Sequence, residues 1–289
     1  MSEIQASDER TVDKLLEQLG DLPSAPIILS QALQLTSDLQ SSISDLTRSL
    51  SADQSLSAKV IRISNSPFYA RLQRVASLDE AIRILGFKQL KSIIITATTY
   101  QMFENCAHAK VATDLWHHSL STAIGSRMIA QKYGQVDKEE SYLAGLLHDI
   151  GKLALLKLTP NVYEEIIEIV KMTKVSFIDA EDKELGFNHT DVGKSLLVNW
   201  EFPTQIITAV AEHHTSNLKQ RSPTLQSSQI ISLADSISRF NGASFYEPYS
   251  NDLEGSVYLG SSELPIDDLI SLRCEIESGF NAELDRIFN

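Results

Sequence analysis

The sequence predicts an all-α chain built as two helical domains, and three observations carry that expectation. Apolar residues recur at three- and four-residue spacing in one segment after another. Caps and glycines punctuate those segments, and no segment shows the apolar–polar alternation of a half-buried strand. The length of 289 residues, with 43% hydrophobic residues, exceeds what one core usually needs, so two domains are expected.

The first domain is placed at residues 1–108. Val12, Leu15, Leu16 and Leu19 form a short amphipathic helix that Gly20 stops. Pro23 and Pro26 open a second, through Ala32, Leu33 and Leu35, and a third after Ser42 carries Ile43, Leu46 and Leu50. A fourth, with Leu56, Val60 and Ile63, ends at the turn Asn65-Ser-Pro67. Ser77 and Glu80 make a capping box for a fifth, closed by Gly86, and residues 87–102 form a sixth.

The second domain, residues 109–289, follows a short polar segment at 105–114. Its first helix runs to Tyr133, stopped by Gly134, with Trp116, Leu120, Ile124 and Met128 as the apolar stripe. Asp137 with Glu140 caps the next helix, whose Leu143, Ala144, Leu146 and Leu147 face a core. Gly151, a residue that tolerates positive φ, is expected to end it. Thr159 and Pro160 start another through Tyr163, Ile166, Ile167 and Val170. Further helices are expected over 176–186, 191–200, 203–213 and 225–240. Residues 241–264, rich in Gly, Ser and Tyr, read as a long loop with aromatic turns at Tyr246-Glu-Pro248 and Tyr249-Ser-Asn251. Pro265 opens a final helix, and residues 251–289 hold nine acids against two bases, a solvated acidic extension.

Composition narrows the function. A net charge of −13 and a pI near 5.0 argue against general nucleic-acid binding and against anionic membrane surfaces. Lys59, Arg62, Arg71, Arg74, Arg83, Lys88 and Lys91 nevertheless crowd residues 59–91 against only Asp79 and Glu80. This run reads first as solvated helix faces and second as a partner surface or an anion site. Cys106 and Cys274 are too few for a disulfide framework and suit a reducing cytosol. The acidic start is unlike a secretory signal, and Ile93-Ile-Ile95 is too short an apolar run to span a bilayer, so a cytoplasmic protein is expected.

The chemistry-bearing residues are histidines. His148 and Asp149 stand side by side at the end of an apolar helix. Of the seven histidines only His108 and His117 fall outside one set: His118, His148, Asp149, His189, His213, His214 and Asp235. Taken singly, each has a plain structural explanation: a hydrogen-bonded core His, a pair favoured at a helix C-terminus, a capping Asp. Together they offer imidazole and carboxylate donors on separate helices, a combination suited to divalent transition metals. Asp149 has two oxygens with which to bridge two ions. Asp114, one turn before His118, is either a further carboxylate or an exposed acid at a helix start.

His118, His148-Asp149 and Asp235 together resemble the H…HD…D pattern of the HD superfamily of metal-dependent phosphohydrolases. The extended order with His189, His213-His214 and Lys152 is similar to the HD-GYP branch, which hydrolyses cyclic di-GMP. Where that branch carries a Gly-Tyr-Pro run, however, this chain reads Thr215-Ser-Asn-Leu-Lys-Gln-Arg-Ser-Pro223. From about Leu22 to Phe240 the chain resembles the HDOD family of bacterial signalling proteins more closely. The resemblance lies in Leu22-Pro-Ser-Ala-Pro26, Ser57 to Tyr69, Ser77 to Gly86, Trp116-His-His-Ser119, Gly186-Phe-Asn-His189 and Trp200-Glu-Phe-Pro203.

The resemblance implies an HDOD-type helical domain up to residue 108 and an HD-like bundle after it. It also implies one or two divalent ions, with Fe, Mn, Zn, Ni and Co all compatible. His118, His148 and Asp235 would hold one and His189, His213 and His214 the other, with Asp149 bridging and acting in catalysis and Lys152 contacting a substrate phosphate. Many family members have lost part of this set and act as non-enzymatic regulatory modules with signalling-protein partners. The expected function is such a module, with weak catalysis or none. The alternative is a phosphohydrolase acting on a nucleotide such as a cyclic dinucleotide.

Overall fold

The computed structural model describes residues 28–29, 47–48, 50–65, 74–104, 106, 108–243, 245–246, 253 and 255–288. The helix expected over 12–19, the motif from Leu22, most of the helix expected through Leu35, Arg71 and the turn at Tyr249 lie outside the described residues. Residues 28–29 and 47–52, where described, are helical.

Among the described residues the chain is all-α apart from one hairpin. The elements run α1 (Gln54–Ser64), α2 (Leu78–Leu85), α3 (Phe87–Glu104), α4 (Ala109–Tyr133), α5 (Lys138–Leu147), α6 (Ile150–Leu158), α7 (Pro160–Thr173) and α8 (Phe177–Leu185). They continue with α9 (His189–Asn199), α10 (Thr204–Ala211), α11 (Ser227–Phe240), β1 (Val257–Leu259), β2 (Ser262–Leu264) and α12 (Ile266–Phe288). β1 and β2 pair antiparallel, with Val257 opposite Leu264. The Gly-, Ser- and Tyr-rich composition predicts a loop here, because three-residue strands are too short for alternation to register.

Helix α4 is the central post. It packs against α3, α5, α11 and α12, and Leu115, Trp116, Leu120, Ala123 and Ile124 are fully buried. Gly134 ends it in the left-handed region, φ 62°. At the α4–α5 crossing Gly145 lets the backbones touch: a Cβ there would lie 2.9 Å from the Thr122 carbonyl oxygen. Helix α9 lies across α6 and α10, and α10 in turn packs on α5 and α11, so α5, α6, α9, α10 and α11 surround one point.

One apolar cluster includes Leu56 and Ile93 on one side of residue 108 and Trp116 and Leu196 on the other, so packing is continuous there. A second joins α4, α11, α12 and the hairpin through Ile129, Leu233, Leu259 and Ile276. The acidic last helix is therefore anchored by an apolar face, Leu269, Leu272 and Ile276, with Asp267, Glu275 and Glu277 exposed and Glu283 buried.

Gly151 does not end a helix. It lies inside α6 with φ outside the positive region, and the break comes earlier, at His148 and Asp149. A Cβ on Gly151 would sit 2.0 Å from the His189 carbonyl oxygen and 2.9 Å from the Gly193 nitrogen. The glycine is needed for close approach of α6 to α9, which sets His189 beside Asp149.

Candidate metal centre

The sequence dictates an elbow at the centre. Asp137 caps α5 by accepting from the Glu139 and Glu140 backbone N–H groups, and the buried run Leu143 to Leu147 carries the helix inward. His148 closes α5, Asp149 precedes α6, and both are 1% exposed. His118 enters from the middle of α4, His189 is the first residue of α9, and Asp235 sits on the buried face of α11. Asn188 and Asp191 form a capping box that fixes the start of α9. His213 and His214 lie just beyond the end of α10, in the turn that follows it.

All seven side chains expected as ligands converge. Two groups result: Asp149 with His189, His213 and His214, and His118 with His148 and Asp235, in each of which the donor atoms lie within 4.8 Å of one another. His118 Nε2 is 3.1 Å from Asp235 Oδ1, 3.5 Å from Asp149 Oδ2 and 3.2 Å from His148 Nε2. His189 Nε2 is 3.3 Å from Asp149 Oδ1 and 3.1 Å from His214 Nε2. Donors at about 2.1 Å from one tetrahedral ion stand roughly 3.4 Å apart, the range seen here.

Tautomers sharpen the case. The Nδ1 atoms of His118, His148 and His213 lie 2.6, 2.8 and 2.6 Å from the carbonyl oxygens of Ala243, Gly145 and Val210. A carbonyl only accepts, so each Nδ1 carries a proton and, in a neutral ring, each Nε2 presents a lone pair to the centre. Lone pairs of His118 and His148 that meet at 3.2 Å need an electron-poor group between them. Asp149 Oδ1 and His213 Nε2 are buried with no hydrogen-bond partner, at a cost a cation would remove. The residues present thus fit a divalent metal.

Electrostatics agree. Burial, the largest influence, opposes charge on His213 and His214 and, with repulsion from neighbouring imidazoles, holds both well below the ordinary histidine range. Neutral imidazole is the ligating form. Burial also disfavours the Asp149 and Asp235 carboxylates, but the former is outweighed by His148 and Lys152, the latter by Arg239 and His118, so both fall well below the usual range. His148 is raised, because Asp149 and Asp235 together outweigh its burial.

Lys152 stands one turn into α6, 2% exposed, with Nζ 2.9 Å from Asp149 Oδ2 and 4.5 Å from the centre of the Phe177 ring. Of the seven grouped side chains only His214 is partly exposed. His108 and His117 stay outside the centre: His108 pairs with Glu164, and His117 packs edge-on against Trp116 and Phe280. Asp114 accepts from the Tyr246 hydroxyl and joins neither group.

Sequence reasoning missed two residues. Glu181, 0% exposed, accepts from His189 Nδ1 at 2.6 Å and from the His189 backbone N–H at 2.8 Å, and the Tyr163 hydroxyl donates to its other oxygen. It lies among the charged residues Asp179, Asp182, Lys183 and Glu184, where nothing local sets it apart. The eight-residue interval to His189 across Gly186 was the available signal. Arg239 holds Asp235 Oδ2 at 2.9 Å, one helical turn on, a spacing readable as an i,i+4 pair.

Comparisons with known proteins bear on the fold and the family. An HDOD-domain protein of unknown function from Geobacter sulfurreducens superposes with a TM-score of 0.79 at 22% identity, covering 98% of this chain and 99% of that one. A candidate phosphohydrolase from Shewanella amazonensis SB2B gives 0.70 at 22% identity, over 95% and 98%. At these identities the likeness shows a shared fold. An uncharacterised protein of Treponema pallidum (strain Nichols) is 21% identical over 215 residues, 73% of this chain. The chain spans 41% of the length of that curated relative. The HDOD domain model matches residues 22–216, well over half of the chain and all of the centre except Asp235. With the all-helical fold and the His/Asp elbow in place, that match makes this chain a member of the HDOD family.

Proposed function

We propose that this chain is a bacterial signal-transduction module of the cytoplasm whose HD-type centre binds one or two divalent metal ions for structure or sensing, with little or no catalysis. The carrying observation is burial. His118, His148, Asp149, Lys152, His189, His213 and Asp235 are all at most 3% exposed and, among the described residues of the centre, only His214 reaches the surface in part, which argues against an open approach of a phosphoester to Asp149. The Lys152 ammonium is engaged by Asp149 and Phe177 instead of facing solvent, which argues against its gripping a phosphate. We propose the division into residues 1–108 and 109–289 as one of role, the first presenting a surface to a signalling protein and the second holding the metal.

The second reading is a phosphohydrolase acting on a nucleotide such as cyclic di-GMP. The complete His/Asp set favours it, as does the fold shared with a candidate phosphohydrolase. A bound divalent ion would supply an activated water there. Protein loaded with Mn or Fe and incubated with cyclic di-GMP is expected to release no product above the protein-free control. Turnover at rates typical of enzymes, abolished by Asp149→Ala, would establish the second reading in place of the first.

A further inference from the structure

We infer that the two halves of the centre take up cations unequally: the first ion goes to His189, His213, His214 and Oδ1 of Asp149, while Lys152 and Arg239 hold back a second from His118, His148 and Asp235. This rests on the proposed metal-binding role and deepens it.

The two oxygens of Asp149 face different surroundings. Oδ1 lies 3.3 Å from His189 Nε2 and 3.9 Å from His213 Nε2, and neither Oδ1 nor His213 Nε2 has a hydrogen-bond partner. Oδ2 lies 3.3 Å from His148 Nε2 and 3.5 Å from His118 Nε2, but an ammonium is already 2.9 Å away. That ammonium is Lys152, buried and fixed against the faces of Phe177 and Phe245. The remaining carboxylate of the second half, Asp235, has its Oδ2 2.9 Å from the buried guanidinium of Arg239.

Each of the two carboxylates serving the second half thus has a formal positive charge beside one of its oxygens, Oδ2 in both cases. A divalent ion entering there meets two like charges within a few ångströms in a medium that screens poorly, which raises its free energy.

The first half has the reverse bias at one ligand. His189 is backed by the Glu181 carboxylate at 2.6 Å, whereas His213, His118 and His148 are backed by neutral carbonyls. A carboxylate behind a ligating imidazole makes its lone pair more basic and fixes the ring. Tyr163 and the His189 backbone N–H hold Glu181 in place, so its charge is spent on one imidazole. Glu181 is a positioning residue for the first half.

The test is titration of metal-stripped full-length protein with Co²⁺ alone, bound ion being counted by equilibrium dialysis with elemental analysis and the ligand field followed by visible absorption. Two steps are expected, the first at least tenfold tighter. Glu181→Gln should weaken the first about 10- to 100-fold and leave the second unchanged. Asp235→Asn should remove the second and spare the first, and Lys152→Met should bring the second closer to the first. Should Glu181→Gln show no cooperative melt, His214→Gln at the partly exposed ligand replaces it with the same expectation. Loss of the tight step in Asp235→Asn, or an unchanged gap in Lys152→Met, overturns the inference while metal binding stands. No Co²⁺ bound by the wild type overturns the metal-binding role itself.

Discussion

Gly151 shows how narrowly the centre is placed. An added methyl would sit 2.0 Å from the carbonyl oxygen of His189, a backbone atom that cannot rotate aside. Gly151→Ala is therefore expected to push α9 from α6, costing about 1–3 kcal/mol or more in urea unfolding and weakening metal retention together. Unchanged stability with metal retained would show that the approach of these helices is looser than described. The histidines, by contrast, are fixed by their Nδ1 partners and not by the helices alone. Carbonyls of Gly145 and Val210 lie three residues before His148 and His213, so the local backbone orients each ring. His118 and His189 are instead oriented from other elements, by Ala243 and Glu181.

Helix α5 carries the elbow inward, and its start is the point to probe. Asp137 accepts from two backbone N–H groups and pairs with Lys88 of α3 at 2.8 Å. Burial alone would raise its carboxyl, but Lys88 and the N–H groups of Glu140 and Glu139 hold it below the ordinary 3.8. A depressed folded-state value contributes stability that is complete above the unfolded value and is lost as pH falls through the folded one. Asp137→Asn keeps the capping oxygen but not the charge, so its urea midpoint should fall short of wild type at pH 6 and approach it near pH 3. A deficit that grew on acidification would refute this role.

At this scale most of the architecture was legible. The periods of α4, α7 and α11 and the glycines at 134 and 186 are local signals, and the structure repeats them. The long-range features were not legible. The role of Gly151 depends on α9, and the burial of Glu181 depends on Tyr163 and His189; no window of sequence contains those pairs. The seven converging side chains were legible because imidazole is scarce and chemically distinct.

The whole molecule stores unfavourable electrostatics around one point. His213 and His214 are held well below 6.5, so they contribute stability that is complete above that value and lost as pH falls below it. His148, raised, works in the opposite sense and partly offsets them. With two groups against one, chelator-treated protein should melt at progressively lower temperature between pH 7 and pH 5; a rising melting temperature would contradict this balance. A divalent ion at 100 times its Kd should add about 2.7 kcal/mol at pH 7.5, and Asp149→Ala should cancel that gain. Everything proposed for the chain turns on whether these side chains hold an ion. Elemental analysis of the untreated full-length protein beside Asp149→Ala decides it. One or two equivalents of a first-row transition metal per chain, lost in the variant, is the expected result. A wild-type chain that arrives metal-free and takes up neither Mn, Fe, Co nor Zn on dialysis would contradict it.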